Sequence, residues 1–222
     1  METPGIVLKK EKLSERLFHL SLYTERMGKI NALIRLELKD FPLSVEPFSL
    51  SIFNLKITGE RTEIMKVKLL KHNVPKDIRK FKYLSLIAKY VDSFTGSAPE
   101  KKIFELTRFY MMNVKDRFLL AATMFIIKLA FFEGLFPNLT RCAICGSSKN
   151  ISGFSLEEGS IVCNKCSRGN LIPWNETLSK ETIYLLKNSF FSIKFCRINS
   201  LKRIRNLFEK HLSYRIGTEN VI

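Results

Sequence analysis

The sequence predicts an α+β protein in which a small N-terminal β-barrel is followed by an all-helical domain that carries an inserted four-cysteine module. Apolar and polar side chains alternate in the first part of the chain, whereas beyond Pro75 the apolar side chains recur at helical spacing. Two Cys-x-x-Cys pairs then interrupt the helical pattern. The predicted domains are therefore residues 1–74 and residues 75–222, with the cysteine module at 141–170.

Five predicted strands make up the N-terminal domain. The clearest alternation places Phe18, Leu20 and Leu22 on one face of a strand. Gly28 and Gly59 can take the positive φ that tight hairpin turns require. Because five short strands bury little surface as an open sheet, we expect closure into a five-stranded OB-fold barrel, with an SH3-like barrel as the competing geometry. The strands are predicted at residues 6–10, 18–23, 30–36, 47–58 and 62–70.

Five predicted helices make up the C-terminal domain. The first places Ile78, Phe81 and Leu84 on one face. Residues 97–100 read Ser-Ala-Pro-Glu, a capping-box pattern that predicts the start of the second helix. The third helix, at 117–133, is apolar nearly all round and is expected at the centre of the helical core. Amphipathic helices are predicted at about 179–190 and 200–214.

No stretch of the chain has the pattern of a membrane span or an export signal. The longest mainly apolar stretch, residues 118–127, is well short of the roughly 20 residues that cross a bilayer. The first residues lack the basic start and apolar core of a secretory signal. We therefore expect a cytoplasmic protein with no membrane contact, in which paired cysteines hold metal and do not form disulfides.

The cysteine pairs, Cys142 with Cys145 and Cys163 with Cys166, are separated by 17 residues. This spacing is typical of two turns that face each other around one tetrahedral Zn²⁺. Four thiolates fill the coordination sphere, so we expect one structural zinc with no open position for catalysis. Two redox dithiols or a chance occurrence are the alternatives. Cys196 stands alone and is expected to be a small core residue.

The chain has 37 Lys and Arg against 21 Asp and Glu, which gives a net charge of +16. This charge predicts a polyanionic partner.

A barrel binds single strands with cations along the phosphates and aromatic side chains against the bases. Tyr23 and Phe53 are aromatic candidates, although inward packing is the alternative for both. Ordinary polar alternation is the alternative for the cations. The candidate nucleic-acid-binding residues are Lys9, Lys10, Lys29, Arg35, Lys39, Lys66 and Lys68.

No catalytic constellation is found in the sequence. None of the three histidines lies in the H-x-E triplet of zinc deaminases, and the glycines form no phosphate-binding loop, dinucleotide-binding turn or nucleophile elbow. A zinc-stabilised DNA glycosylase is disfavoured because the chain does not start with a terminal Pro nucleophile. We therefore expect no enzymatic activity. A rival prediction is a zinc-ribbon RNA-binding or ribosome-assembly protein, which would prefer structured RNA.

Several stretches of the chain are specific enough to indicate a protein family. The most specific is residues 134–146, in which a Gly-x-x-Pro-x-Leu run leads into the first cysteine pair. Residues 154–166 contain the second pair, and shorter stretches lie at 5–8, 23–29 and 46–48. In these stretches, which extend over nearly the whole chain, the sequence resembles the RecO family of bacterial DNA repair and recombination proteins.

The resemblance implies an OB-fold domain, a helical domain with a zinc module, and no catalytic turnover. Proteins of this family bind single- and double-stranded DNA and anneal complementary strands. With RecR, in the RecF pathway, they help load the recombinase RecA onto strands coated by single-strand binding protein (SSB). The implied partners are therefore DNA, RecR and the C-terminal tail of SSB, and the four cysteines are the implied zinc ligands. Lys29 and Arg35 fall in the barrel region that the family uses for DNA.

Overall fold

The computed structural model of the chain describes residues 1–37 and 42–217. The chain divides into two compact units, Met1–Phe118 and Leu119–Ile222. The first unit contains the β-barrel together with the two helices that follow it. The domain boundaries at 1–74 and 75–222 remain a prediction.

The barrel is a closed, mixed sheet of five strands. The strands are β1 (Glu2–Lys12), β2 (Leu17–Thr24), β3 (Gly28–Arg35), β4 (Ser49–Thr58) and β5 (Arg61–His72). Their order in the sheet is β1-β2-β3-β5-β4. Neighbouring strands are antiparallel except at the closure, where β3 and β5 run parallel and Leu33 pairs with Glu63. This five-strand arrangement confirms the predicted OB-fold barrel.

The barrel interior holds the apolar side chains that the alternation selects. Leu20, Leu22 and Phe53 are fully buried there. Gly5 makes room for the ring of Phe53, because a Cβ on Gly5 would lie 3.1 Å from that ring. Phe53 is therefore a core residue, in agreement with the inward-packing alternative, and it does not offer a face for stacking on a base.

Tyr23 is also fully buried, so it too cannot stack on a base. It lies on the opposite face of β2 from Leu20 and Leu22, which period-two alternation assigns to the outside. That outer face is covered within the same unit by the helix that follows the barrel. Ser21, on this face, donates a hydrogen bond of 3.1 Å to Asp92 of the helix.

Two helices complete the first unit, α1 (Ile78–Phe94) and α2 (Lys101–Asn113). The side chain of Asp77 caps α1 by accepting a hydrogen bond from the backbone N–H of Lys80 at 2.8 Å. The capping box expected at residues 97–100 does not form. Instead, Glu100 is itself the N-cap of α2 and accepts from the backbone N–H of Lys102 at 3.1 Å. Pro99 disfavours helical geometry in the residue before it, which delays the start of the helix.

The described residues that follow the first unit form three α-helices and a small hairpin. The longest run of buried residues among them, Leu120 to Ile127, lies in the first of these helices, as expected for the centre of a helical core. None of the helices within the described ranges is long and apolar enough to cross a bilayer. The elements are α3 (Phe118–Phe132), β6 (Ile151–Ser155), β7 (Ser160–Cys163), α4 (Glu176–Lys187) and α5 (Ile198–Ile216).

Gly28 fixes the path of the β2–β3 turn against the segment between α1 and α2. It has a φ of +65°, and a Cβ at this position would lie 2.5 Å from the carbonyl oxygen of Ser97 and 2.6 Å from that of Ala98. Gly59, in the β4–β5 turn, has a φ of +60°, but a Cβ there would have no described atom within 4 Å. Both glycines therefore need a left-handed backbone, but a Cβ would collide with neighbouring atoms at Gly28 and not at Gly59.

We expect Gly28→Ala to destabilise the protein more than Gly59→Ala. Both substitutions incur the cost of a left-handed backbone, about 1 kcal/mol. Gly28→Ala also forces the Cβ into backbone atoms, which adds about 2 kcal/mol. Urea unfolding of the two variants measures the difference, and equal losses would show that the turn does not pack against residues 97–98.

Candidate metal centre and nucleic-acid interface

The first cysteine pair lies on a tight turn that follows α3. The backbone N–H of Gly146 donates to the carbonyl oxygen of Cys142 at 3.0 Å, and Gly146 has a φ of +72°. The N–H of Cys142 donates to Ser147 at 2.8 Å, which closes the turn. Ala143 donates to Ile161 of β7 at 3.0 Å and attaches the turn to the hairpin.

The second cysteine pair begins at the last residue of β7. The backbone N–H of Cys166 donates to the carbonyl oxygen of Cys163 at 3.0 Å, which closes a turn between the two cysteines. The N–H of Asn164 donates to Asn150 at 2.9 Å, just before β6 begins. The two strands therefore place the two turns at the same end of the hairpin.

The four sulfurs meet at this end of the hairpin. All lie within 4.8 Å of one another, and the Sγ atoms of Cys145 and Cys163 are 3.6 Å apart. Tetrahedral zinc with a metal–sulfur distance of about 2.3 Å implies a sulfur–sulfur distance of about 3.8 Å. The cysteines are free thiols. The predicted set, Cys142, Cys145, Cys163 and Cys166, is therefore brought together and could bind one metal ion.

Backbone donors around the cluster favour the thiolate form that a metal requires. Burial opposes ionisation of Cys142, but the backbone N–H groups of Cys145 and Cys163 outweigh it and lower the pKa of the Cys142 thiol to about 6. The pKa of Cys163 is lowered against burial by similar donors. The pKa of Cys166 is raised to about 12 because its thiol shares a hydrogen bond with Cys145. Thus a proton released from one sulfur is held by its neighbours, and metal binding would displace it.

The module is attached to the helices of the second unit through aromatic contacts at the other end of β6. The ring of Phe154, fully buried, lies 5.5 Å from the ring of His211 on α5 and 6.5 Å from that of Trp174. The indole N–H of Trp174 donates to the hydroxyl of Ser179 at 3.0 Å. The Nε2 of His211 donates to the carbonyl oxygen of Leu135 at 2.8 Å. The position of the cluster therefore depends on α5 as well as on the hairpin.

Two of the predicted DNA-binding lysines are engaged with carboxylates of the same unit. Lys9 is exposed and forms an ion pair with Glu11. Lys10 is largely buried, forms an ion pair of 2.6 Å with Glu46 and lies 4.6 Å from the ring centroid of Phe18. A phosphate would have to compete with these contacts.

The other described candidates differ in accessibility. Lys29 is half-buried and donates to the backbone carbonyl of Asp92 at 2.5 Å. Arg35 on β3, and Lys66 and Lys68 on β5, are exposed. Within the described part of the chain, these three side chains form no ion pair.

Arg35 lies in a cleft at the parallel closure of the barrel. The cleft has a volume of about 260 Å³ and is also lined by Arg61 and Glu63, which form an ion pair of 2.9 Å. Sequence reasoning missed Arg61, although its place directly after the Gly59 turn could have indicated it. The remaining candidate, Lys39, lies outside the described residues.

The fold and the site define a class of protein. A mixed five-strand barrel precedes a helical region with a four-sulfur cluster, and the whole chain carries a net charge of +16. This is a basic α+β protein with a candidate metal site and exposed cations.

Comparison with known proteins identifies the family. The family described as "Recombination protein O C terminal" matches residues 75–220. A DNA repair protein RecO of Alkaliphilus metalliredigens is 29% identical over 214 residues, which cover 90% of this chain and 86% of the relative. One of Bacillus velezensis is 24% identical over 226 residues, which cover 94% of this chain and 88% of the relative. The chain belongs to the RecO family of DNA repair and recombination proteins.

We expect stability to fall as the pH is lowered through about 6.5, the ordinary pKa of histidine. Burial lowers the pKa of His211 in the fold, and its Nδ1 has no partner among the described residues. As the pH drops, the unfolded chain therefore binds a proton at His211 more readily than the folded chain does. The free energy of unfolding decreases as a result.

The test compares urea unfolding of the wild type and His211→Gln over this pH range. The variant should show a shallower fall than the wild type, because it lacks the buried imidazole. Parallel curves for the two proteins would contradict the contribution of His211.

Proposed function

We propose that the chain is a recombination mediator that binds single- and double-stranded DNA and anneals complementary strands. Membership of a family of DNA repair proteins, in a chain with a net charge of +16, is the observation that carries this proposal. Exposed cations neutralise the phosphates of both strands, which lowers the repulsion between them. Among the predicted candidates, Arg35, Lys66 and Lys68 are best placed for this, because they are exposed and form no ion pair within the described residues.

The partners that we propose follow from the family. The chain would act with RecR to help load the recombinase RecA onto DNA coated by SSB, and would contact the C-terminal tail of SSB. It would work in the cytoplasm, with no catalytic turnover of its own. Binding and positioned charge would be its whole mechanism.

We further propose that the metal is one structural Zn²⁺. Four thiolates are a soft donor set that suits zinc, and they leave no open position for water or substrate. The backbone donors at Cys142 and Cys163 favour the thiolate forms. The ion would hold the two cysteine turns together, and the DNA contacts would be made by other residues.

We expect Cys142→Ser to lose the zinc and to unfold at a lower temperature. A loss of about 3 kcal/mol corresponds to a fall of roughly 10 °C for a chain of this size. Metal analysis should find one zinc per chain in the wild type and in the control variant Cys196→Ser, whose sulfur is outside the cluster. Full zinc content in Cys142→Ser would refute the four-sulfur site.

We expect annealing of bare complementary oligonucleotides to slow steeply as salt is raised, because each phosphate contact releases counterions. A barrel variant, Arg35→Gln with Lys66→Gln and Lys68→Gln, should anneal more slowly than the wild type at low salt. A fluorescence-quenching assay on labelled strands measures both effects.

The control for this variant removes three exposed lysines from the first unit, Lys101, Lys102 and Lys115, each replaced by Gln. It has the same change in net charge and should anneal close to the wild-type rate. Annealing that does not depend on salt, or tighter binding to structured RNA than to DNA, would overturn the proposed function.

A further inference from the structure

The charged residues of the cysteine module are segregated along its hairpin. We call residues 141–150 and 163–169, which carry the two cysteine turns, the knuckle end. The knuckle end holds four basic residues and no acidic residue. The basic residues are Arg141, Lys149, Lys165 and Arg168.

Backbone pairing brings these cations to one end of the module. Lys149 precedes Asn150, and Lys165 follows Asn164, and these two asparagines are joined by a backbone hydrogen bond of 2.9 Å. Arg141 and Arg168 flank the two cysteine turns on the outside, since Arg141 directly precedes the first cysteine and Arg168 lies two residues after the last.

The four side chains are available to a ligand. All four residues are exposed. Across the described ranges, none of these side chains forms an ion pair or a hydrogen bond, in contrast to Lys9 and Lys10 of the barrel. A divalent ion held by four thiolates leaves two negative charges, so the four cations leave the knuckle end net positive.

The only acidic residues between Arg141 and Asn175 are Glu157 and Glu158, in the turn between β6 and β7. This turn is at the opposite end of the hairpin from the cysteines. Arg215 of α5 donates to the carbonyl oxygen of Glu157 there at 3.0 Å. The acidic end is therefore the attached end, and the basic end is the exposed one.

The first cysteine turn also exposes an apolar side chain beside the cations. Ile144 lies between the two cysteines of the turn and is 53% exposed. An apolar side chain among cations suits a single strand, in which unpaired bases offer apolar faces between phosphates. On the outside of a duplex, Ile144 would find no comparable apolar face to contact.

We propose that the knuckle end is a binding site for single-stranded DNA, in which the four cations contact phosphates and Ile144 contacts a base. The inference deepens the proposed function and rests on it, because it adds a second place at which the chain holds a strand. The metal fixes the shape of the site without touching the DNA.

The test measures the affinity for a fluorescent single-stranded oligonucleotide as a function of salt. A knuckle variant replaces Arg141, Lys149, Lys165 and Arg168 by Gln. Its matched control replaces four exposed lysines of the first unit by Gln, with the same change in net charge. The control positions are Lys82, Lys101, Lys102 and Lys115.

The knuckle variant should lower the slope of log affinity against log salt by about 3, since each lost phosphate contact on a single strand removes about 0.7. The control should change the slope by less than about 1. Ile144→Ser should lower the affinity several-fold and leave the slope unchanged. Zinc content and thermal midpoint establish that each variant is folded.

Photo-crosslinking of the wild-type protein to an oligonucleotide with 5-iodouracil gives a readout that needs no variant. Peptide mapping should find crosslinks within residues 141–169. Equal slopes for the knuckle and control variants, or no crosslink in this segment, would overturn the site while salt-dependent binding by the wild type still supports the proposed function. A wild-type protein that binds DNA without salt dependence would overturn both.

Discussion

The cysteine module depends on one constraint, which is that its four sulfurs lie close together. The buried cluster beside the sulfurs contains Cys142, Val162 and Cys163, with Ile151 and Leu171 among the partly buried residues around them. A core of this size cannot offset the entropy of ordering two turns and their connections. The proposed metal ion would supply the missing stability and would fix the positions of the hairpin, the two turns and the cations beside them.

The barrel is stabilised differently from the cysteine module, and its cations have different roles. Its interior is filled by alternating apolar residues, so it needs no metal. Lys10 and Lys29 are held by Glu46 and Asp92 of the same unit and contribute to its structure. Arg35 has no such partner among the described residues and remains available to a phosphate. Exposure and local pairing, which depend on the fold, therefore separate structural cations from candidate binding cations.

The sequence predicts those features that depend on local spacing. The four cysteines were assignable because their spacing fixes which sulfurs can share an ion, and the barrel strands because alternation marks their inner face. The sequence leaves the packing of Tyr23 open, since its burial depends on α1 covering the outer face of β2. The hairpin β6–β7 was missed because its strands are only five and four residues long and contain no sustained alternation. The N-cap at Glu100 depends on Pro99 delaying the helix, which the Ser-x-x-Glu pattern alone does not show.

The proposed function requires that the folded chain bring complementary strands together even when another protein covers them. Annealing of complementary oligonucleotides precoated with SSB, by protein of known zinc content, tests it most directly. Annealing is expected to persist on coated strands and to require the folded chain. Annealing of bare strands that disappears entirely on coated strands would contradict the mediator function and leave only a basic protein that binds DNA.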